Sequence, residues 1–410
     1  MRLISSMKVA ILTSAIQGGA GIAAKRLHAS LQLIRPDILE SDLITIESLG
    51  GMLVGEDIVP SSGGSNKVFS DTHYTIEYPG YARSSLISVL SGYDIINIHW
   101  SSFLITTTEI LRLQRVGIKI LFTLHDFYYL YGGCHYPHTC DNWLNKCNRC
   151  PQLSTDSHPD YSPYINYLAK EKIRDNSYVH FVAPSTYLIE RLISDGKFHR
   201  SKTKVIRNPI DTQVFNLERR QTKDIQSNPP RILIIADSAL ERRKGFTFAY
   251  SALLKFSSIY TGIDFEVVIA GQGSKMYRDM LIDSGIKAIA FERINGEAKM
   301  AELYSSVDIV FSPSLEDNWP NILVEGFACG CLLLVGPGHG CEEFVNLYNA
   351  GAVSHSYSSE DFALSLYKLM TKAKSNYAPS LDVYNQFLSD HKPTIVAKNY
   401  MALFKSLIAL

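Results

Sequence analysis

Short apolar runs alternate along this chain with stretches whose apolar residues recur every three or four positions. The runs are VAILTS, DIINIHW, IKILFTLHD and VHFVAPS in the first half, then RILIIADS, FEVVIAG, VDIVFSPS and CLLLVG in the second. They read as buried strands. Between them, AAKRLHASLQLI, TTTEILRLQRVG and STYLIERLISDG carry the helical period. Alternation of this kind predicts parallel sheets with helices on both faces. The pattern breaks near 211–229, where FNLERRQTKDIQSNPP is polar and ends in two prolines. The predicted architecture is therefore α/β: two doubly wound Rossmann-like domains facing a central cleft. They span 1–210 and 230–390, joined by a linker at 211–229. Residues 391–410 form a C-terminal helix, a candidate to cross back to the first domain. Residues 51–85, irregular and rich in Gly, Ser and Tyr, predict a long insertion or loop. Ligands of such sheets bind at the carboxyl ends of the strands.

Composition narrows the class. A chain of 410 residues has room for two domains with their own cores. Forty basic residues balance forty acidic ones, so no bulk charge points to nucleic acid. No apolar run reaches the length of a bilayer span, which limits any membrane contact to a peripheral one. Arg2, Lys8 and the run Val9 to Leu12 resemble a short signal peptide. MKVAIL followed by QGGAG reads better as a first buried strand and its turn. Seven cysteines, four of them within 134–150, do not have the even spread of a secreted disulfide scaffold.

Candidate chemistry sits in the turns. In QGGAG, residues Gly18, Gly19, Ala20 and Gly21 follow a strand and open a helix. That makes either a tight turn or an anion cradle, because glycine lets backbone N–H groups approach closely and a helix start favours negative charge. Gly271 and Gly273, in GQG, offer a second such turn. In RRKG, residues Arg242, Arg243 and Lys244 suit a diphosphate, or form a solvated charge cluster. Basic residues at a helix start oppose its dipole, which favours the anion. The stretch PSLEDNWPNILVEGFACG, residues 313–330, adds the rest. Pro320 suits a first helical turn. Asn321 and Ile322 then offer free N–H groups to a phosphate. Dipole complementation, worth about 0.3–1 kcal/mol, accounts for Glu316 and Asp317 but not for Glu325, which sits too far in. Glu325 can instead hold the vicinal hydroxyls of a ribose, and Asp317 can reach a sugar beyond the phosphates.

With these residues in view, the chain resembles the family 4 glycosyltransferases of the GT-B fold over nearly its whole length. The resemblance rests on the N-terminal glycine loop, VAPSTYLIERLI with VIRNPIDTQVF, Lys244–Gly245, AGQG, and MAELYSSVDIVFSPS followed by the two spaced acids. It implies that Glu325 holds the nucleotide ribose and Asp317 the donor sugar. Lys244 and the amides of Asn321 and Ile322 would hold the diphosphate. Arg293, Ile294, Asn318 and Pro320 complete the implied donor site. The chain departs from the family in two places. Asp317 stands where many relatives have Glu, with Glu316 directly before it. Ala239 stands where the family has an arginine, and Arg242 or Arg243 is the substitute. TLHDFYYLYGGCHYPHTC, with His99–Trp100, resembles a subset that builds colanic acid, other bacterial exopolysaccharides and O-antigens. It implies that His125 contacts the donor sugar or the reacting centre, where a lone histidine is more often structural. Asp126 would orient that histidine or an acceptor hydroxyl. Tyr128, Tyr129 and Tyr131 stack on sugars or simply pack.

The implied reaction is transfer with retention from a UDP- or GDP-linked sugar to a glycan or lipid-linked oligosaccharide. It needs no metal, and domain closure would exclude water. The expected place is the cytoplasm, peripherally at the inner membrane face. A nucleotide-sugar 2-epimerase and a non-catalytic donor-binding scaffold are the alternatives. Cys134, Cys140, Cys147 and Cys150 suggest a structural zinc, with His135 or His138 able to replace one thiolate. A disulfide pair or free thiols are the other readings.

Overall fold

The computed structural model describes residues 6–34, 39–50, 74–75, 77, 80–153, 162–176, 178–194, 198–222, 229–373 and 378–409. Most of the expected insertion at 51–85 lies outside them. The chain divides into two compact units, Met1–Pro209 with Pro393–Leu410, and Ile210–Lys392.

The first unit holds a parallel sheet of β1 (Met7–Thr13), β2 (Leu39–Ile44), β3 (Ile95–Trp100), β4 (Lys119–Thr123), β5 (Val179–Ala183) and β6 (Thr203–Val205). Their order is β2-β1-β3-β4-β5-β6. The second unit holds β7 (Arg231–Ser238), β8 (Glu266–Gln272), β9 (Ala288–Phe291), β10 (Ile309–Ser312), β11 (Leu332–Val335) and β12 (Gly351–Val353). These are again parallel, in the order β12-β11-β10-β7-β8-β9. Each apolar run of the sequence is one of these strands, and their central residues are fully buried because helices cover both faces. The order in which strands are added reverses between β1 and β3 and between β7 and β10. Those are the switch points where loops diverge and leave a crevice at the strands' carboxyl ends.

The helix Pro393–Ala409 belongs to the first unit. Val396, Ala397, Tyr400, Met401, Phe404 and Leu407 pack with Val9, Ile11, Leu27, Leu121 and Val182. The stretch expected as a linker starts inside the second unit. Ile210 and Phe215 are fully buried there with Tyr304 and Phe327, so an apolar anchor every few residues overrides its polar character.

Candidate functional site

At the β7/β10 switch point two loops are pressed together. Gly245, in the left-handed region at φ 71°, ends the short 3-10 turn Arg242–Lys244. A Cβ there would lie 2.1 Å from the Pro313 carbonyl at the end of β10, so only glycine permits the approach. The Leu315 N–H donates to the Arg243 carbonyl at 2.8 Å and ties the loops. This brings Lys244 Nζ to 2.7 Å and Arg243 Nη1 to 3.1 Å from Asp317 Oδ2. Burial alone would raise the Asp317 carboxyl, but Lys244 and Arg243 overcome it and hold it at about 2. Lys244 and Asp317, expected to serve phosphate and sugar separately, are thus an ion pair here. Arg243 is buried and also bonds Glu241 and the Glu316 carbonyl, so it acts as a brace between the loops. Arg242 is the exposed one of the two. Ala239, at the place of the family's arginine, is buried.

The helix Asn321–Ala328 starts beside this pair. Pro320 is its cap residue rather than part of its first turn, with extended backbone at φ −68° and ψ 135°, and its ring makes no side-chain cap bond. Asn321 and Ile322 are half-buried at its head. Glu325 lies one turn further and is buried, and its Oε2 accepts from the Tyr304 hydroxyl at 3.1 Å. Burial pushes the Tyr304 phenol up, so it stays a donor. Tyr304 reaches Glu325 from the helix Glu297–Ser305, and no spacing in the sequence announces that pairing. Asn318 is buried, with its N–H 3.1 Å from Asp317 Oδ1.

A further glycine loop, GPGHG at 336–340, was not singled out from sequence. The Gly340 N–H donates to the Asp317 carbonyl at 3.2 Å, and a Cβ on Gly340 would overlap the Asn318 carbonyl. Its signal was present: like QGGAG, it follows a strand and opens a helix. Gly271 and Gly273 lie at the end of β8, both left-handed, with Gly271 pressed against the Ala236 carbonyl. There Glu292 accepts from the N–H groups of Gly273 and Lys275 at 3.2 and 3.4 Å, so this chain's own carboxylate sits at that helix start. Arg293, exposed, and Ile294, half-buried, follow β9.

In the first unit, Gly21 serves the turn after β1, because a Cβ would meet the Ala15 carbonyl at 2.2 Å. Gly18 and Gly19 have open space beside them, Ala20 is half-buried, and the helix Gly18–Gln32 they open has no side-chain cap. His125 follows β4, half-buried, with Nε2 2.9 Å from His99 Nδ1. Burial pushes His125 down to about 4 despite the nearby Asp126, so it is neutral at physiological pH. Asp126 does orient a histidine, but it is His135: Oδ2 lies 2.7 Å from His135 Nδ1, and Oδ1 accepts the Tyr128 N–H. The His135 ring stacks on Trp100 and Tyr128, with centroids 4.4 and 4.8 Å apart. Tyr128, Tyr129 and Tyr131 are all buried, which removes the sugar-stacking reading and leaves packing.

Zinc is likewise not upheld. Cys134, Cys140, Cys147 and Cys150 form no disulfide, and among the described residues no group of three or more His, Cys, Asp or Glu is arranged to hold a metal ion. Burial pushes the Cys134 thiol up, which keeps it protonated. The Cys147 and Cys150 sulfurs accept from the Gly132 N–H and the Tyr74 hydroxyl. The loop is pinned instead by the helix Pro163–Arg174. Its Lys170 donates to the carbonyls of Tyr128 and Tyr131, and its Arg174 to that of Tyr129.

Comparison with known proteins adds to this geometry. The profile described as Glycosyltransferase Family 4 matches residues 58–214, and that described as Glycosyl transferases group 1 matches 218–380. The putative colanic acid biosynthesis glycosyl transferase WcaC of Escherichia coli strain K12 is 19% identical over 279 residues, which is 65% of this chain. The match spans 64% of that relative's length. Sucrose-phosphate synthase of Thermosynechococcus elongatus superposes with a TM-score of 0.67 at 13% identity, over 98% of this chain and 99% of its own. HepE of Anabaena, solved with UDP and glucose, superposes at 0.58 and 13% identity, over 98% and 100%. At these identities the structural likeness is one of fold.

Proposed function

Because the chain belongs to the family 4 glycosyltransferases and shares their GT-B fold, we propose that it moves a hexose from a nucleotide diphosphate sugar to a glycan or lipid-linked oligosaccharide in bacterial surface polysaccharide synthesis. One observation carries this reading. The Lys244–Asp317 pair lies just before the helix Asn321–Ala328, whose cap residue is a proline, with Glu325 buried one turn on. A diphosphate placed at that helix start meets N–H groups and a cation together. Lys244 then turns from Asp317 to the phosphate, which frees the carboxylate for a sugar hydroxyl. Glu325, already oriented by Tyr304, accepts from the ribose.

The transfer proceeds with retention. The bond from anomeric carbon to phosphate oxygen breaks as the acceptor oxygen bonds to that carbon on the same face. The electron pair leaves with the phosphate, whose growing charge Lys244 and the helix start stabilise. The acceptor's proton passes to the departing phosphate oxygen. No protein nucleophile takes part, and a neutral His125 is not needed as a base. HepE's complex with UDP and glucose is in keeping with a nucleotide sugar as donor.

The test is turnover of UDP- and GDP-hexoses with and without a lipid-linked oligosaccharide. Glycosidic product formed only with acceptor is expected. Free epimerised sugar without acceptor would replace the transferase with an epimerase, and nucleotide binding with no turnover would leave a donor-binding scaffold.

A further inference from the structure

A file of polar side chains in the first unit connects the C-terminal helix to His125. The Tyr400 hydroxyl lies 3.0 Å from Thr123 Oγ1, and Thr123 Oγ1 lies 2.8 Å from Asn97 Oδ1. Asn97 Nδ2 lies 3.3 Å from His99 Nε2, and His99 Nδ1 lies 2.9 Å from His125 Nε2. Tyr400, Thr123, Asn97 and His99 are all buried, so these groups have each other rather than water as partners.

The chemistry of the groups gives the file a direction. An amide oxygen only accepts and an amide nitrogen only donates. The hydrogen of Thr123 therefore goes to Asn97 Oδ1, and Tyr400 must donate to Thr123. Asn97 Nδ2 donates to His99 Nε2, so that nitrogen carries no hydrogen. Neutral His99 is then protonated at Nδ1 and donates to His125 Nε2. That nitrogen in turn is bare, and a neutral His125 carries its hydrogen on Nδ1. Turning the Asn97 amide over would reverse both steps beyond it and make Asn97 Nδ2 donate to Thr123. One of the two buried hydroxyl hydrogens, of Thr123 or of Tyr400, would then have no acceptor among the described residues. Thr123, whose hydrogen goes to Asn97 Oδ1, thus decides the direction. Burial keeps both imidazoles neutral at physiological pH, with Asp126 the nearby charge acting the other way on His125.

We propose that Tyr400, Thr123, Asn97 and His99 form a one-way hydrogen-bond relay that sets His125 as its Nδ1–H tautomer, a donor to an electron-rich substrate oxygen and not a proton acceptor. The four are positioning residues. None needs to touch the substrate, and the C-terminal helix acts on the chemistry only through the relay. The consequence for turnover rests on the transferase reading above; the tautomer itself does not.

Long-range proton–nitrogen NMR of the full-length protein with 15N-labelled histidines tests this, with His125→Gln identifying the resonance. Between pH 6 and 8 the wild-type protein is expected to show a protonated Nδ1 and a bare Nε2 on His125. Thr123→Val keeps the packing and removes the directing hydroxyl. It is expected to bring in the Nε2–H form and to lower kcat/KM for transfer about tenfold or more, while affinity for the free nucleotide diphosphate stays within about twofold. Tyr400→Phe leaves Thr123 donating to Asn97 Oδ1 and is expected to keep the Nδ1–H form. A wild-type His125 protonated on Nε2, or on both nitrogens, overturns the relay without recourse to any variant. An unchanged tautomer in a folded Thr123→Val protein overturns the relay as the source of that direction. The expected tautomers in a protein that transfers no sugar to any acceptor would uphold the relay and count against the transferase reading.

Discussion

At Asp317 a carboxylate with almost no access to water stays ionised because two cations touch it. Its folded value, about 2, lies below the ordinary 3.8. The pairing therefore adds stability that is fully present above the ordinary value and is lost as pH falls from about 4 toward 2. The difference corresponds to about 2 kcal/mol at neutral pH. Asp317→Asn should cost roughly that at pH 7 and flatten this part of the acid dependence. Urea unfolding at pH 7 and pH 3 measures both, and an equal loss at the two pH values would contradict the ion-pair account. Glu325 is the second decisive residue. Glu325→Ala should weaken binding of the free nucleotide diphosphate by about 1.5–3 kcal/mol, the worth of hydrogen bonds to a charged group. Titration calorimetry reads this directly, and wild-type affinity in the variant would end the ribose assignment.

At the scale of elements, the site depends on loops packed closer than side chains allow. Gly245→Ala puts a residue at φ 71° and its Cβ against the Pro313 carbonyl. Gly262→Ala meets only the first penalty, since its φ is 95° with open space around it. The left-handed backbone costs about 1–2 kcal/mol in either case. We expect Gly245→Ala to lower Tm by roughly 4–8 °C and Gly262→Ala by about half as much. Equal shifts in a calorimetric scan would show that close approach is not the issue. Gly245→Ala should also weaken nucleotide binding, because Lys244 is placed by the same turn.

At the scale of the molecule, the C-terminal helix is a structural part of the first unit. Its buried Val396, Met401, Phe404 and Leu407 each contribute about 1.5–3 kcal/mol on burial. Their sum is comparable with the whole stability of a domain, about 5–15 kcal/mol. A chain ending at Lys392 should therefore lose the first unit and keep the second. Hydrogen exchange checks this strand by strand: β1, β3 and β4 should exchange freely, while β7, β8 and β10 stay protected. Retained protection in β1 would refute the dependence. Truncation also removes Tyr400, so loss of turnover in this chain does not bear on the relay, which needs the point variants.

Much of this is legible in the sequence. Apolar runs such as VAILTS and VDIVFSPS are strands because burial on both faces is a local property of a continuous apolar run. Glycine turns after strands were visible for the same reason, including the overlooked GPGHG. What failed were statements about partners. Asp126 lies beside His125 in sequence yet bonds His135, because the turn after β4 aims its carboxylate at the returning loop. The tyrosines after it looked like sugar platforms and are core, since Lys170 and Arg174 draw their carbonyls inward. Four nearby cysteines suggested zinc, yet among the described residues no three ligands are arranged to hold a metal ion. By itself the sequence determined the strands and the helices between them. Only the tertiary structure decided strand order, the meeting of Lys244 with Asp317, and the contact of Tyr400 with Thr123. Secondary structure follows from the period of neighbouring residues, whereas those pairings depend on how segments distant in the chain pack, and no local pattern encodes that.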